Sequence, residues 1–437
     1  MYGLYEGAKP SLMICDPELI RKVLVKDFDH FCDRRSFPTK GEDEWLNEML
    51  TTICGDQWKK LRSTVSPTFS SGKLKYMFEL VHNHAKSFVT HCAQFRESGE
   101  CFDMKDSYGR FTMDVIASCA FGIECNSLTQ EKSIFAEKAN DVFSMSFFKI
   151  LKFMGILLLP QKFIDLTGIS FIDDSWRFFK SVSKETASIR KDQEKSRGDF
   201  LDLLLAEQKK QEEEFDESRD YRITENTILA ESVLFLVAGY DTTANVLSFT
   251  SYHLAKNEQI QERLREELKE IIEEHGELNY HNIMEAKYLD ACINENLRRV
   301  APGPVLERKC TKEYHIPNSN ITIPEGMYVQ IPVLGIHLDP EFWEQPEEFN
   351  PERFMPENKN EIKPFTYMPF GLGPRNCIAM RFALMEAKIC LAEFVLNYKF
   401  TLAPGNDEIK FEFTTGLIRP TKGLVSVYLQ DCKEFLN

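Results

Sequence analysis

Between Phe370 and Ala379 the chain reads Phe-Gly-Leu-Gly-Pro-Arg-Asn-Cys-Ile-Ala. Gly371, Gly373 and Pro374 make a constrained turn that only small residues allow. Cys377 ends the turn where a helix from about Ile378 would aim its N–H groups and dipole at the sulfur, favouring a thiolate. Arg375 adds positive charge, and Ala379 is small enough for something flat to approach. Such a thiolate is a metal ligand or a nucleophile. A nucleophile wants a His base, and no His follows His337. Taken alone, the loop also fits a buried structural cysteine.

Three further groups stand out. Ala238-Gly239-Tyr240-Asp241-Thr242-Thr243 lies midway along Thr224–Lys256, a stretch without Pro that is strongly apolar around 229–238. As one helix it would run roughly 50 Å at about 1.5 Å per residue and cross the molecule. Thr242 is placed to back-bond to the Ala238 carbonyl and loosen the helix there. Glu295 and Arg298 are three apart on a helix and can pair. Arg353, in Pro-Glu-Arg-Phe, comes from a loop at 339–376 rich in Pro, Gly and Asn, and loops of that length are usually functional.

These four groups, in this order, resemble cytochrome P-450, the haem-thiolate monooxygenases. The Cys loop is similar to the family's Phe-x-x-Gly-x-Arg-x-Cys-x-Gly, with Ala379 for the last Gly. Ala238–Thr243 is similar to its oxygen-activation motif, Glu295-Asn296-Leu297-Arg298 to its Glu-x-x-Arg, and Arg353 to the third member of that charge cluster. The likeness covers the whole chain and is nearest the microsomal branch that oxidises drugs and steroids. It implies haem b with Cys377 as axial thiolate and a proton relay through Asp241 and Thr242, with Gly239 letting the cofactor lie close. It implies a structural role for Glu295, Arg298 and Arg353, and cofactor contacts from Phe370, Gly373 and Ala379. The propionate partners it implies are Trp58, Arg62, Arg308 and Arg375, with Arg34 beside them. Two electrons would come in turn from an NADPH-dependent flavoprotein reductase, with cytochrome b5 as a further partner, and one atom of dioxygen would enter a lipophilic substrate. Lys59, Lys60 and Lys73 would face the reductase. A peroxide isomerase of the same fold has no dioxygen to protonate, and Thr242 argues against it. A haem-binding, catalytically dead protein is the rival from another class.

The likeness also implies one catalytic domain over 1–437, at the cytosolic face of the endoplasmic reticulum membrane. The family's anchor, hinge and first helix have no counterpart, so an N-terminal truncation is expected. Ala301 and Pro302 depart from the family's Pro position, and Gly303-Pro304-Val305 would line the pocket. Phe147–Leu159 is apolar with two lysines and is expected to dip into lipid over the substrate channel.

Composition agrees with a globular enzyme. Lys+Arg is 53 against Asp+Glu 68, a net charge of −15 over 437 residues, which argues against general nucleic-acid binding. The 12 cysteines include no Cys-x-x-Cys and read as mostly reduced thiols. His82 and His84, two apart, do not share a helix face. No run of 18 apolar residues marks a membrane span. The expected fold is mainly α with a smaller β-rich part. Asp16 caps a helix from Pro17, and a second helix spans Gln259–Glu274 and stops at Gly276. Lys209–Asp220 reads as a solvated loop, and a last helix spans about Ile378–Tyr398. Ile321–Ile323 and Met327–Ile331 read as a hairpin around Pro324-Glu325-Gly326, with strands near Ile409–Phe413 and Leu424–Leu429.

Overall fold

The computed structural model describes residues 1–432 apart from 8, 37–38, 131, 145, 147, 152–171, 192–195, 215–220, 415 and 422–424. The elements that position the site are helices α1 (Gly55–Val65), α2 (Ser71–Ser98), α3 (Met104–Ile116), α4 (Asp174–Lys191), α5 (Phe200–Glu213), α6 (Glu225–Lys256), α7 (Glu258–His275), α8 (Lys287–Arg299) and α9 (Met380–Asn397). A four-stranded sheet holds β1 (Tyr2–Glu6), β2 (Lys9–Met13), β3 (Leu306–Lys309) and β4 (Tyr328–Ile331) in the order β1-β2-β4-β3. Only β2 and β4 run parallel.

Helix α6 is the axis of the larger core. Thr224 caps it, accepting from the Thr227 N–H in a capping box, so the expected start is one residue early. It packs against α3, α4, α8 and α9 and is buried on nearly every side. That is why its sequence is apolar all round rather than striped. Two of its buried hydroxyls are satisfied within the helix: Ser248 donates to the Ala244 carbonyl and Thr250 to that of Val246. By length and composition α6 could cross a membrane, yet 78% of its most apolar window is buried in this protein, so it is a core helix.

Several expectations need correction. The Lys209–Glu213 charges belong to the last turn of α5, where charged side chains solvate a helix end instead of a loop. Thr322–Ile323 does not pair with Tyr328–Ile331. It pairs with Tyr314–His315, while β4 pairs with β2 and β3. The alternation was read correctly, but Ile323, Val329 and Ile331 join a common core through strands that pair elsewhere. Asp16 does cap Pro17–Arg21, and α7 ends at Gly276 with φ +78°. His82 is engaged with Glu393 at 2.6 Å, and no metal-ligating cluster occurs among the described residues.

A smaller core gathers Ile14, Ile20, Leu24, Val329, Ile331 and Met368 around the sheet. The Cys loop lies where this core meets that of α6. Gly373 (φ +73°) packs so tightly there that a Cβ would sit 1.9 Å from the Leu24 carbonyl oxygen. No other residue fits.

Candidate active site

A cavity of about 380 Å³ opens between α6 and the Cys loop. Its walls are mostly apolar: Ile116, Leu234, Phe235, Ala238, Val246 and Leu306 among others. Cys377 faces it, deep within the molecule but reachable from the cavity. Phe370, Arg375, Ile378 and Ala379 line it too. The Cys377 N–H donates to the Phe370 carbonyl at 2.8 Å and closes the loop. Helix α9 begins at Met380, two residues later than expected, so Cys377 precedes the helix instead of starting it. Burial pushes the Cys377 thiol up, while the Ala379 N–H, Arg62 and Arg34 pull against it. The expected help from Arg375 is absent. Its guanidinium turns away, donating to the Cys32 and Ile53 carbonyls and stacking 4.2 Å over the Trp58 ring.

The residues expected to meet the propionates nevertheless gather. Arg62 donates to both the carbonyl and the side-chain oxygen of Asn376, and Arg34 to the Arg375 carbonyl. Arg34, Trp58 and Arg62 line the cavity. Arg308 does not, but it lies beside Arg34 and Arg375 and is wholly buried. Its Nε and Nη2, with Arg375 Nη1, have no hydrogen-bond partner. Burial, then the neighbouring arginines, push Arg308 well down, and burial with Arg34 lowers Arg375 to about 10. Among the described residues, the carboxylate ion-paired with this group is Asp33, 3.5 Å from Arg375. Buried cations in that excess call for anionic partners. Two carboxylates of a flat cofactor, with a thiol facing the apolar space beside them, fit this donor set.

Thr242 lines the cavity, and its hydroxyl donates to the Ala238 carbonyl at 2.8 Å as expected. Asp241 does not join it there. Its carboxylate is wholly buried on another side of α6, 2.7 Å from Lys105 Nζ and 3.1 Å from Arg419 Nε, and takes a bond from Asn245. Neighbours on a helix point about 100° apart, so both cannot face the same space. Gly239 lines the cavity, and a Cβ there would meet Ile116 at 2.8 Å, so the glycine also admits α3.

Glu295 and Arg298 are wholly buried and doubly bonded at 2.8 Å. Arg298 also donates to the carbonyls of His337, Pro346 and Glu348, and Glu295 accepts from the Asn350 N–H. Arg353 completes the cluster 3.6 Å from Glu295. Two residues here carried no sequence signal. His337 takes the Met368 N–H on Nε2 and meets the Arg298 carbonyl through Nδ1, tying the cluster to the start of the Cys loop. Burial lowers its pKa to about 3, so the ring is neutral. Glu386 of α9 brings a buried carboxyl to the cavity wall. Burial raises it well above the usual range, a hydrogen bond with Thr243 opposes this, and Oε1 has no partner. Of the expected Gly303-Pro304-Val305 lining, Gly303 faces the cavity with Pro302, while Val305 is exposed. Phe148 and Leu151 are exposed. Most of the expected lipid-dipping stretch, 152–159 with Phe147, lies outside the described residues.

A mainly helical fold with a thiol-bearing loop, a buried arginine group and a cavity-facing threonine on a long core helix is the arrangement of a haem-thiolate oxygenase. The family model described as Cytochrome P450 matches residues 1–426. Cytochrome P450 3A41 of Mus musculus is 38% identical over 429 residues, 97% of this chain and 83% of that protein. Cytochrome P450 3A5 of Homo sapiens is 37% identical over 431 residues, 97% and 84%. Cytochrome P450 3A56 of Fundulus heteroclitus is 36% identical over 428 residues, with the same coverage. The chain belongs to the cytochrome P-450 family. It is a monooxygenase that binds haem b and places one atom of dioxygen in lipophilic organic substrates, with electrons from NADPH through a flavoprotein reductase.

Proposed function

We propose that the chain is one catalytic domain in which Cys377 Sγ would ligate the haem iron and Arg34, Trp58, Arg62, Arg308 and Arg375 would hold the haem propionates. The observation that carries this is the unpartnered, wholly buried guanidinium edge of Arg308 beside a cavity that Cys377 faces. Bound there, the haem supplies oxygen activation, the thiolate pushing electron density that favours O–O cleavage. The chain's residues do the rest. The apolar wall takes a lipophilic substrate and excludes water. Thr242 spends its proton on Ala238, so its oxygen lone pairs remain to hold a water at the cavity face. Glu386, whose carboxyl burial holds toward its protonated form, stands on that wall as a proton donor beside Thr243. Asp241 anchors Lys105 and Arg419 and fixes the rotation of α6.

The test is incubation with lipophilic compounds, NADPH and reductase. Products heavier by one oxygen atom are expected, with drugs and steroids the first classes to try. Turnover that needs neither NADPH nor dioxygen contradicts the reading.

Cytochrome b5 as a second donor, and residence at the cytosolic face of the endoplasmic reticulum membrane, extend this proposal through the family. The reductase side is α1, whose Trp58 and Arg62 face inward while Lys59 and Lys60 are exposed. Lys73 drops out, because its Nζ is engaged by the Gly198 carbonyl. Lys59 is close to Asp56 but half exposed. An acidic protein docking an acidic partner needs such a local patch. Charge reversal at Lys59 and Lys60 is expected to slow reductase-driven turnover about tenfold, within the range of electrostatic steering, and to leave peroxide-driven turnover unchanged. Equal loss in both assays would mean the residues serve the fold.

A further inference from the structure

Glu231 stands one turn before Leu234 and Phe235, which line the cavity from α6. It is wholly buried, and no ion pair to it occurs among the described residues. Its Oε1 accepts the Leu50 N–H at 2.5 Å, and its Oε2 has no partner. Leu50 and Thr51 line the cavity opposite. The segment 49–53 is a small turn bonded mainly to itself, Thr52 and Ile53 donating to the Met49 carbonyl. Two polar ties join its backbone to distant elements among the described residues: Leu50 N–H to Glu231, and the Ile53 carbonyl to Arg375. A buried acid one turn behind a cavity wall, with one bond and, among the described residues, no cation, is costly to the fold.

We propose that Glu231 is the positioning residue for this wall: its neutral carboxyl latches segment 49–53 against α6, and its ionisation releases the segment and opens the cavity.

The surroundings support a neutral latch. Among the described residues, burial and the Leu50 N–H are what act on its carboxyl. Glu48, at the end of the turn Gly41–Glu48, accepts from Thr224 and Thr227, and Tyr221 lies close enough that both glutamates raise its phenol. The lysines of α4 that act on α6, Lys184 and Lys191, act on Glu225 at its exposed start. Burial pushes the Glu231 carboxyl up to about 8, with the Leu50 N–H pulling against it. Once the segment opens, water reaches the carboxyl and its pKa falls toward the ordinary 4.5. Opening therefore releases a proton between those values. Its equilibrium constant rises with pH by up to about tenfold per unit and levels off once the latched carboxyl ionises.

The role rests on the cavity being the substrate site, but its test does not. Hydrogen exchange of the segment 49–53 is followed by mass spectrometry in the purified haem-loaded protein from pH 6 to 9, beside Glu231→Gln. Glutamine keeps the acceptor for Leu50 and cannot ionise. After correction for intrinsic exchange, wild-type protection is expected to fall by up to about tenfold per pH unit until near pH 8. The variant is expected to hold its pH 6 protection throughout. Infrared spectroscopy on the same samples should show a protonated carboxyl band that fades with the same midpoint and is missing in the variant. Should the variant not fold, the wild-type midpoints decide alone. Wild-type protection independent of pH, or a variant already unprotected at pH 6, overturns the proposal. Either result leaves the haem assignment standing, since that is read from the cofactor's spectrum.

Discussion

Glu295→Ala is expected to cost about 3–5 kcal/mol, the range for removing one partner of a buried ion pair. That is a large fraction of the roughly 5–15 kcal/mol that holds a typical domain. The size follows from what is stranded. Arg298 would keep its bonds to His337, Pro346 and Glu348 but bury a guanidinium with no counter-charge. The Asn350 N–H would lose its acceptor and Arg353 its nearby carboxylate. His337 passes the disturbance on, because its ring bridges Arg298 to Met368, two residues before Phe370. Urea unfolding should show a much lower midpoint, and haem per chain should fall with it. A midpoint equal to wild type would show that the cluster does not hold the loop 339–376 in place.

Thr242→Ala is expected to leave fold and haem content intact and to break the coupling between electrons and product. The substitution removes one hydroxyl from the cavity wall and frees the Ala238 carbonyl. It removes no buried charge, so stability should change little. Reduction continues, but the water that Thr242 held is no longer placed, and reducing equivalents leave as hydrogen peroxide. A placed proton donor contributes on the order of 10²-fold or more, and with water substituting in part, product per NADPH should fall at least about tenfold. Product and peroxide are measured in parallel. Wild-type coupling would make Thr242 a packing residue and place proton delivery on Glu386 alone.

Much of this site was legible because its signals are local. The Cys loop needs glycine where Leu24 presses against it, and a turn that tight shows in any sequence. Asp16 and Gly276 mark helix ends by their own side-chain and backbone chemistry. Glu295 and Arg298 are one turn apart, so their pairing could be read directly. What stayed hidden depends on distant partners. Asp241 looked like a relay acid because Thr242 follows it, but Lys105 lies 136 positions away and Arg419 comes from the far end of the chain. Arg375 looked like a partner for Cys377 until Cys32 and Ile53 claimed its guanidinium. Glu231 and Glu386 sit inside apolar helices, where one acid among many residues carries no pattern. The strand Tyr328–Ile331 announced its alternation but not its neighbours, since pairing is set by the core it joins.

The central claim is that the Cys377 thiolate is the axial ligand. The direct measurement is the difference spectrum of the reduced, carbon monoxide-treated protein against the reduced protein, for the wild type and for Cys377→His. The wild type should give the red-shifted Soret band of a thiolate-ligated haem. Cys377→His should lose that band, and any haem it retains should give the shorter-wavelength band of a nitrogen ligand. A thiolate-type band that survives in Cys377→His would contradict the assignment and place the ligand on another of the cysteines.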